Sequence, residues 1–476
     1  MVMRQELRLL FAERSFWLVS ALFLLLIGYA LSNGMRQAAS RTAAQAAIVQ
    51  DDDARRSTQL HQLERIMAGT EIPGPFNNPA DPTHMGGGFG AQHAIMPVAP
   101  LAPVALGQDD LFPSQFKVTF QSKVNFINNN DIENPWHLLS GHFDLAFVLV
   151  YLLPFLIFAL SYNLLSGERE SGTLRLLLSQ PLALGTLLLG KVVTRAVVLT
   201  AMAVLVPALT LLLMRPETLG GGLTVLWWAA MVGAYALFWF ALVVAVNALG
   251  KSSAANAMVL IIAWVVLVVV VPAMLNLVVT ATLPSPSRAE LATRTRVVTA
   301  EAMARNNALL SADYQHVGKP GALAPKDGSI QMAGRLLGMY KVQREVDDAI
   351  RPQLDHYDRQ QARRQAMVAR YGVLSPAAVA FEGMSALAGT GQRRHALFMQ
   401  QLTDYHQAWK HFFFTRIDAS RAVQPADFPH IPRFSWREEA PQLIRQQAWL
   451  AIAQLLLPTL LLLGFAGWRL RRYAVV

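Results

Sequence analysis

Six separate apolar runs, each long enough to cross a bilayer, constrain this chain more than any other feature. They occupy residues 16–33, 143–165, 191–214, 223–249, 254–283 and 446–468. A spanning helix needs about 20 mostly apolar residues, and backbone inside the hydrocarbon layer must satisfy its own hydrogen bonds. The fold class expected is therefore an all-α polytopic membrane protein with six transmembrane helices. Four of the runs contain a proline, at Pro154, Pro207, Pro272 and Pro458. A bundle tolerates these where neighbouring hydroxyls, helices or water take up the freed carbonyls. Composition agrees: 53% of residues are hydrophobic and 15% charged, against roughly 25% charged in soluble domains. The first run reads as a retained anchor. It is too long for a signal-peptide core, and Glu6 and Glu13 precede it.

The formal charge of +10 raises nucleic acid as a partner, but the basic residues flank apolar runs instead of forming a stripe. A membrane surface is the better match, and no nucleic acid is expected. With no cysteine in the chain, disulfides, thiolate metal sites and cysteine nucleophiles are excluded. Six spans put both termini on one side. The short segments on that side carry Arg4, Arg8, Arg14, Arg169, Arg175, Lys191, Arg195, Lys251, Arg469, Arg471 and Arg472. The one short loop opposite carries Arg215 alone. Long loops translocate largely regardless of charge. Both termini, including the tail at 469–476, are therefore expected in the cytoplasm, with two long insertions outside.

The first insertion, 34–142, opens with a polar helical stretch at 37–67 and then turns rich in proline and glycine. Its FKVTFQSKVNFI segment alternates apolar and polar residues, the pattern of a short strand pair or edge strand. The second insertion, 284–445, reads as helices over 287–310, 331–371 and 392–417, interrupted near Pro352 and Pro376. In the last of these, His395, Met399, Leu402, His406, Trp409 and Phe413 recur at helical spacing and form one apolar-aromatic seam. The two insertions together are expected to build a mostly helical outer domain with a small β element.

On the inner side, residues 1–15 are amphipathic, with Met3, Leu7, Leu10 and Phe11 on one face and Arg4, Arg8 and Glu6 elsewhere. That pattern suits a helix lying in the membrane interface. The segment 166–190 mixes Glu168, Arg169 and Glu170 with an apolar turn containing Leu174, which suits insertion into a groove on a partner. The run ERESGTLRLLLSQP, followed by Gly190 and Lys191, closely resembles the type-2 ABC exporter permeases. APLAPVALGQDDLFPS, NPWHLLSGHFDLAFVLVYLLP and LSPAAVAFEGMSALAGTGQRRHALFMQQ extend the resemblance over nearly the whole chain. They point to a subfamily with large outer insertions and no assigned function. A looser similarity reaches the permeases of copper-site assembly and gliding motility.

The resemblance implies a permease subunit of the bacterial inner membrane, paired with a second copy or a paralogue. It implies a cytoplasmic ATPase dimer that binds ATP and Mg, with no cofactor in this chain. It also implies that Arg4, Arg8, Glu168, Arg169, Glu170, Thr173 and Leu174 take part in ATPase coupling. Export is one outcome. An ATP-driven mechanical relay that acts on a periplasmic or outer-membrane protein, with nothing crossing the membrane, is the alternative. An intramembrane enzyme is a third reading, weakened by the lack of a catalytic constellation.

Other motifs are weaker. AVNALGKS at 245–252 matches a permissive phosphate-loop pattern, but it closes a span and lacks the freed backbone amides such a loop needs. His84, Met85, His93 and Met96 are copper-type ligands on a glycine-rich loop, yet their spacing matches no tight site, and no metal is the expected reading. Lys191, Arg195, Asn247, Asn256 and Asn276 are the polar groups placed to meet lipid or line a pathway, snorkelling and helix-helix bonding being the plainer accounts.

Overall fold

The computed structural model describes residues 2–74, 77–107, 113–124, 143–179, 183–215, 222–284, 287–312 and 320–473. Six of its helices are long and apolar enough to span a membrane. A short helix, α1 (Val2–Ala12), precedes the first of them, α2 (Arg14–Met67). The other spans are α3 (Leu145–Glu170), α5 (Leu184–Met214), α6 (Gly222–Asn247), α7 (Ser253–Thr282) and α12 (Pro441–Leu470). Between α3 and α5 hangs α4 (Thr173–Leu178). The order of the spans puts the termini and the connections α3–α5 and α6–α7 on one side of the bundle (the termini side) and both long insertions on the other (the insertion side).

The spans are helical because their apolar stretches leave the backbone no other way to satisfy its hydrogen bonds in lipid. α6 forms the centre, with Trp228, Tyr235, Trp239 and Phe240 fully buried. Two of the prolines show how the bundle accommodates them. Just before Pro154, α3 widens into a π-helix over Val148–Leu152, and the Tyr235 hydroxyl donates to the Val150 carbonyl there at 2.6 Å. In α7 the backbone widens into a π-helix over Val265–Val270, where the Val271 N–H reaches back to Val266. Pro272 is the next residue and has no N–H for Leu267. The Ser375 hydroxyl, from the second insertion, donates to the Leu267 carbonyl at 2.7 Å. In both places a hydroxyl from another element bonds a carbonyl in the turn before the proline.

α2 does not end at the membrane. It continues unbroken for 54 residues, from the first span into the first insertion, so the polar stretch expected at 37–67 is the same helix. The insertion-side domain packs around its far end. β1 (Gln92–Ile95) and β2 (Gln115–Val118) pair antiparallel, Gln92 opposite Val118 and Ile95 opposite Gln115. This is the small β element expected; the end of the alternating segment, from residue 125, lies outside the described residues. From the second insertion come α8 (Arg288–Arg305), α9 (Gly334–Tyr371), α10 (Pro376–Ala388) and α11 (Gln392–Asp418). The helix α9 runs straight through Pro352, correcting the expected break there. Only Pro376 marks a boundary, at the first position of α10, where its missing N–H has no partner to lose.

Two apolar cores hold this domain. One gathers Leu63, Met85, Phe116, Phe120, Phe398, Trp409 and Phe413; the other joins α8 to α9 through Val298, Ala302, Val342 and Val346. The seam on α11 is covered within the chain: Leu402, His406, Trp409 and Phe413 are at most 2% exposed. Trp409 donates its indole N–H to the Gly86 carbonyl at 3.0 Å. Gly86 is required there, since a Cβ would come within 2.7 Å of Phe120 and 2.8 Å of Phe413.

Candidate functional site

The termini-side face is organised by ion pairs and caps between segments far apart in sequence. α3 ends in a short helical turn at Ser166–Glu170. Gly172 then adopts a left-handed conformation (φ +74°) that permits the sharp entry into α4. Leu174 is 1% exposed, whereas Leu176 on the opposite face of α4 is 73% exposed.

Each charge of the Glu168–Arg169–Glu170 triplet has an intramolecular partner. Glu168 accepts a hydrogen bond from Lys191 Nζ at 2.6 Å and another from the Thr173 hydroxyl. Arg169 donates to the Gly250 carbonyl at 2.6 Å, gripping the turn between α6 and α7. Glu170 accepts from the backbone N–H of Ser253 at 2.7 Å and from its hydroxyl at 2.8 Å. Its carboxylate thereby sits at the N-terminus of α7, where the helix dipole favours negative charge.

Lys191 joins two elements. Its side chain is 7% exposed, and besides Glu168 it lies 3.5 Å from the Glu6 carboxylate of α1. Glu6 therefore faces inward, together with Leu10, and not toward water as its place in the sequence suggests. Arg4, Arg8, Met3, Leu7 and Phe11 are exposed. Arg195, one turn beyond Lys191 on α5, is within electrostatic reach of Glu6 and Glu13. The cluster Glu6, Glu168, Lys191 thus fastens α1 and the α3–α4 segment to the base of α5. Sequence reasoning placed Lys191 and Glu168 in separate roles and missed Glu6. The available signal was a lone acidic residue beside the apolar face of a basic amphipathic helix.

The asparagines serve the backbone. Asn247, 1% exposed, accepts from the Leu165 N–H at 3.2 Å and donates to Val243 O at 3.0 Å. Asn256 donates toward Tyr162 O and Ser166 Oγ, both at 3.3 Å. Together they satisfy the turn where α3 loosens at 162–165. Asn276 is exposed on the insertion-side half of α7.

The other motifs resolve simply. Residues 248–252 form the turn between two spanning helices, with Gly250 at φ +70°; a phosphate loop would follow a strand. Met85 and Met96 are core residues, His84 packs edge-on to Phe89, and His93 pairs with Asp52 at 3.0 Å. Among the described residues no cluster of three or more His, Asp or Glu side chains is placed to hold a metal.

A six-span bundle with interlocked termini-side elements and a large domain opposite defines a multi-pass membrane protein. Residues 1–472 match the family model of the ABC-2 family transporter proteins, and the chain belongs to that family. It is 38% identical over 124 residues to the probable ABC transporter permease protein NosY of Stutzerimonas stutzeri. The match takes in 24% of this chain and spans 44% of the length of that relative. No solved structure matches the chain.

Proposed function

We propose that the chain is the membrane-spanning permease subunit of an ABC exporter in the bacterial inner membrane, with its termini in the cytoplasm. A separate ATPase dimer binds ATP and Mg and docks on α4 and the exposed face of α1. The carrying observation is the ion cluster in which buried Glu6 and Lys191 meet half-buried Glu168, which makes α1, the α3–α4 segment and α5 one mechanical unit. On this reading Glu168, Arg169 and Glu170 brace the docking segment, and its contact surface is the ridge of Arg175 and Leu176. Force applied to that ridge reaches α5 through Lys191 and α7 through Glu170.

The second permease copy or paralogue is supported by the termini-side half of α7, which leaves Met258, Ile261 and Ile262 exposed. A mechanical relay onto a periplasmic partner is favoured by one feature, the unbroken passage of α2 from bilayer to insertion-side domain.

The test is Lys191→Met in the assembled permease–ATPase complex. Removing one partner from a buried ion cluster leaves carboxylates uncompensated, a loss of about 3–5 kcal/mol. The complex should still assemble, while permease-dependent ATP turnover falls at least about tenfold. A variant with Glu6→Gln, Lys191→Met and Glu168→Gln removes the stranded charge; it should recover thermal stability but remain uncoupled. Wild-type turnover in both variants would refute the role of the cluster.

A further inference from the structure

α10 lies at membrane depth although it belongs to the second insertion. Three independent rulers agree. At about 1.5 Å per residue, Leu267 lies roughly 21 Å along α7 from Ser253, Met231 roughly 24 Å along α6 from Asn247, and Ala451 roughly 28 Å along α12 from Leu470. Ser375, the N-cap of α10, bonds to the Leu267 carbonyl. Gly383 is pressed so closely on the other two spans that a Cβ would stand 2.6 Å from Met231 Cε and 3.3 Å from Ala451 Cβ. The hydrocarbon layer is about 30 Å thick, so α10 sits within the insertion-side leaflet. Its Ala377, Val379, Ala380, Met384 and Leu387 are part of the bundle's own core.

One residue of α10 breaks this pattern. Glu382 is its sole charged side chain and occupies its one exposed position, crowded by neighbouring atoms, with Ala378 and Ala386 half-buried one turn to either side. It has no hydrogen bond or ion pair among the described residues. Apolar side chains on both flanking spans are exposed at comparable depth: Val266, Val269 and Val270 on α7, Trp449 and Leu450 on α12. A carboxylate on such a wall is costly unless a countercharge meets it, which makes an ionisable group here a functional suspect. The small alanines leave room for that countercharge to approach. The apolar side chains of α7 and α12 offer a surface on which acyl chains can lie.

We propose that Glu382 binds the primary ammonium headgroup of an aminophospholipid that enters sideways from the insertion-side leaflet, its tails against α7 and α12. Depth and chemistry both select this ligand, because a primary ammonium carries positive charge and hydrogen-bond donors at the level of the headgroups. The site does not depend on the direction of transport or on the ATPase.

The test uses the full chain in nanodiscs of mixed phosphatidylethanolamine and phosphatidylglycerol, with retained lipid counted by native mass spectrometry. Wild type should retain phosphatidylethanolamine preferentially by about tenfold, the scale of one charge-assisted hydrogen bond. Glu382→Gln should abolish the preference and Glu382→Asp should keep part of it, all three melting alike. A hydrophobic carbodiimide should label Glu382 faster in pure phosphatidylglycerol than in the mixture. Equal retention by wild type and Glu382→Gln would overturn the proposal. So would loss of self-association in Glu382→Gln with unchanged lipid retention, which would assign the carboxylate to a second copy.

Discussion

His84 and His406 show what burial does to single residues of the insertion-side domain. Burial lowers the pKa of His84 to about 4. His406, also buried, is lowered to about 3, with the Lys410 charge adding to the effect. His406 Nε2 lies 2.9 Å from the Gln121 carbonyl, which fixes this nitrogen as a donor. Both rings are neutral when folded and take up protons near pH 6.5 when unfolded. Their contribution to stability is thus full above pH 6.5 and is lost as pH falls to about 4 for His84 and about 3 for His406, by at most about 1.4 kcal/mol per histidine per pH unit. Hydrogen exchange of α11, corrected for the intrinsic rate, should show protection declining across that window, and His406→Gln should flatten the decline. A flat wild-type profile would rule out the neutral buried histidines. The site residues divide by legibility at this scale. The sequence of the 166–179 loop marked Glu168, Arg169 and Glu170 as special, because acidic residues beside a span do nothing for topology. It could not reveal their partners. Lys191, Gly250 and Ser253 meet them only after α3, α5, α6 and α7 have packed. Periodicity places Glu6 off the apolar face, but it orders residues around an axis without saying which arc meets a neighbour.

Elements were legible wherever one physical requirement dominated. Spans follow from the bilayer's demand for continuous apolar helix, and α8, α9 and α11 follow from periodicity. Continuity was not legible: leaving the membrane changes the side chains a helix prefers, but it does not require the helix to end, so α2 conceals its exit. Nor was the partner of β2 visible, since β1 lies in a segment punctuated by glycine and proline and becomes a strand by pairing with β2. Pro352 carries its own lesson, because a long helix supported by Tyr340, Val346 and Ile350 in the core absorbs one missing hydrogen bond. α10 depends on a different contact. Its N-cap Ser375 accepts from Ala378 N–H and donates to the carbonyl orphaned by Pro272. Ser375→Ala removes both, and an N-cap loss alone is worth about 0.5–2 kcal/mol. The variant should lower the melting temperature and loosen α10 while α11 keeps its protection. An unchanged melt with an undisturbed α10 would mean that the serine anchors nothing.

The whole molecule is a membrane bundle and an insertion-side domain joined by more than loops. α2 is shared between them, α10 is set into the bundle, and Arg364 of α9 donates to the Leu283 carbonyl just past the end of α7, at 2.9 Å. Tilting α7 therefore has to move the domain or strain these joints. On the termini side, the cluster of Glu6, Lys191 and Glu168 holds α1, the α3–α4 segment and the base of α5 together, and on the proposed reading force enters the bundle there. Because the chain has no cysteine, single introduced cysteines report cleanly on where the ATPase sits. Leu176→Cys, on the exposed ridge of α4, should be captured by a short crosslinker to the ATPase in the assembled complex. His356→Cys, exposed on the insertion side, should not be captured. Capture through His356→Cys with none through Leu176→Cys would contradict the orientation, the docking surface and the proposed route of coupling together.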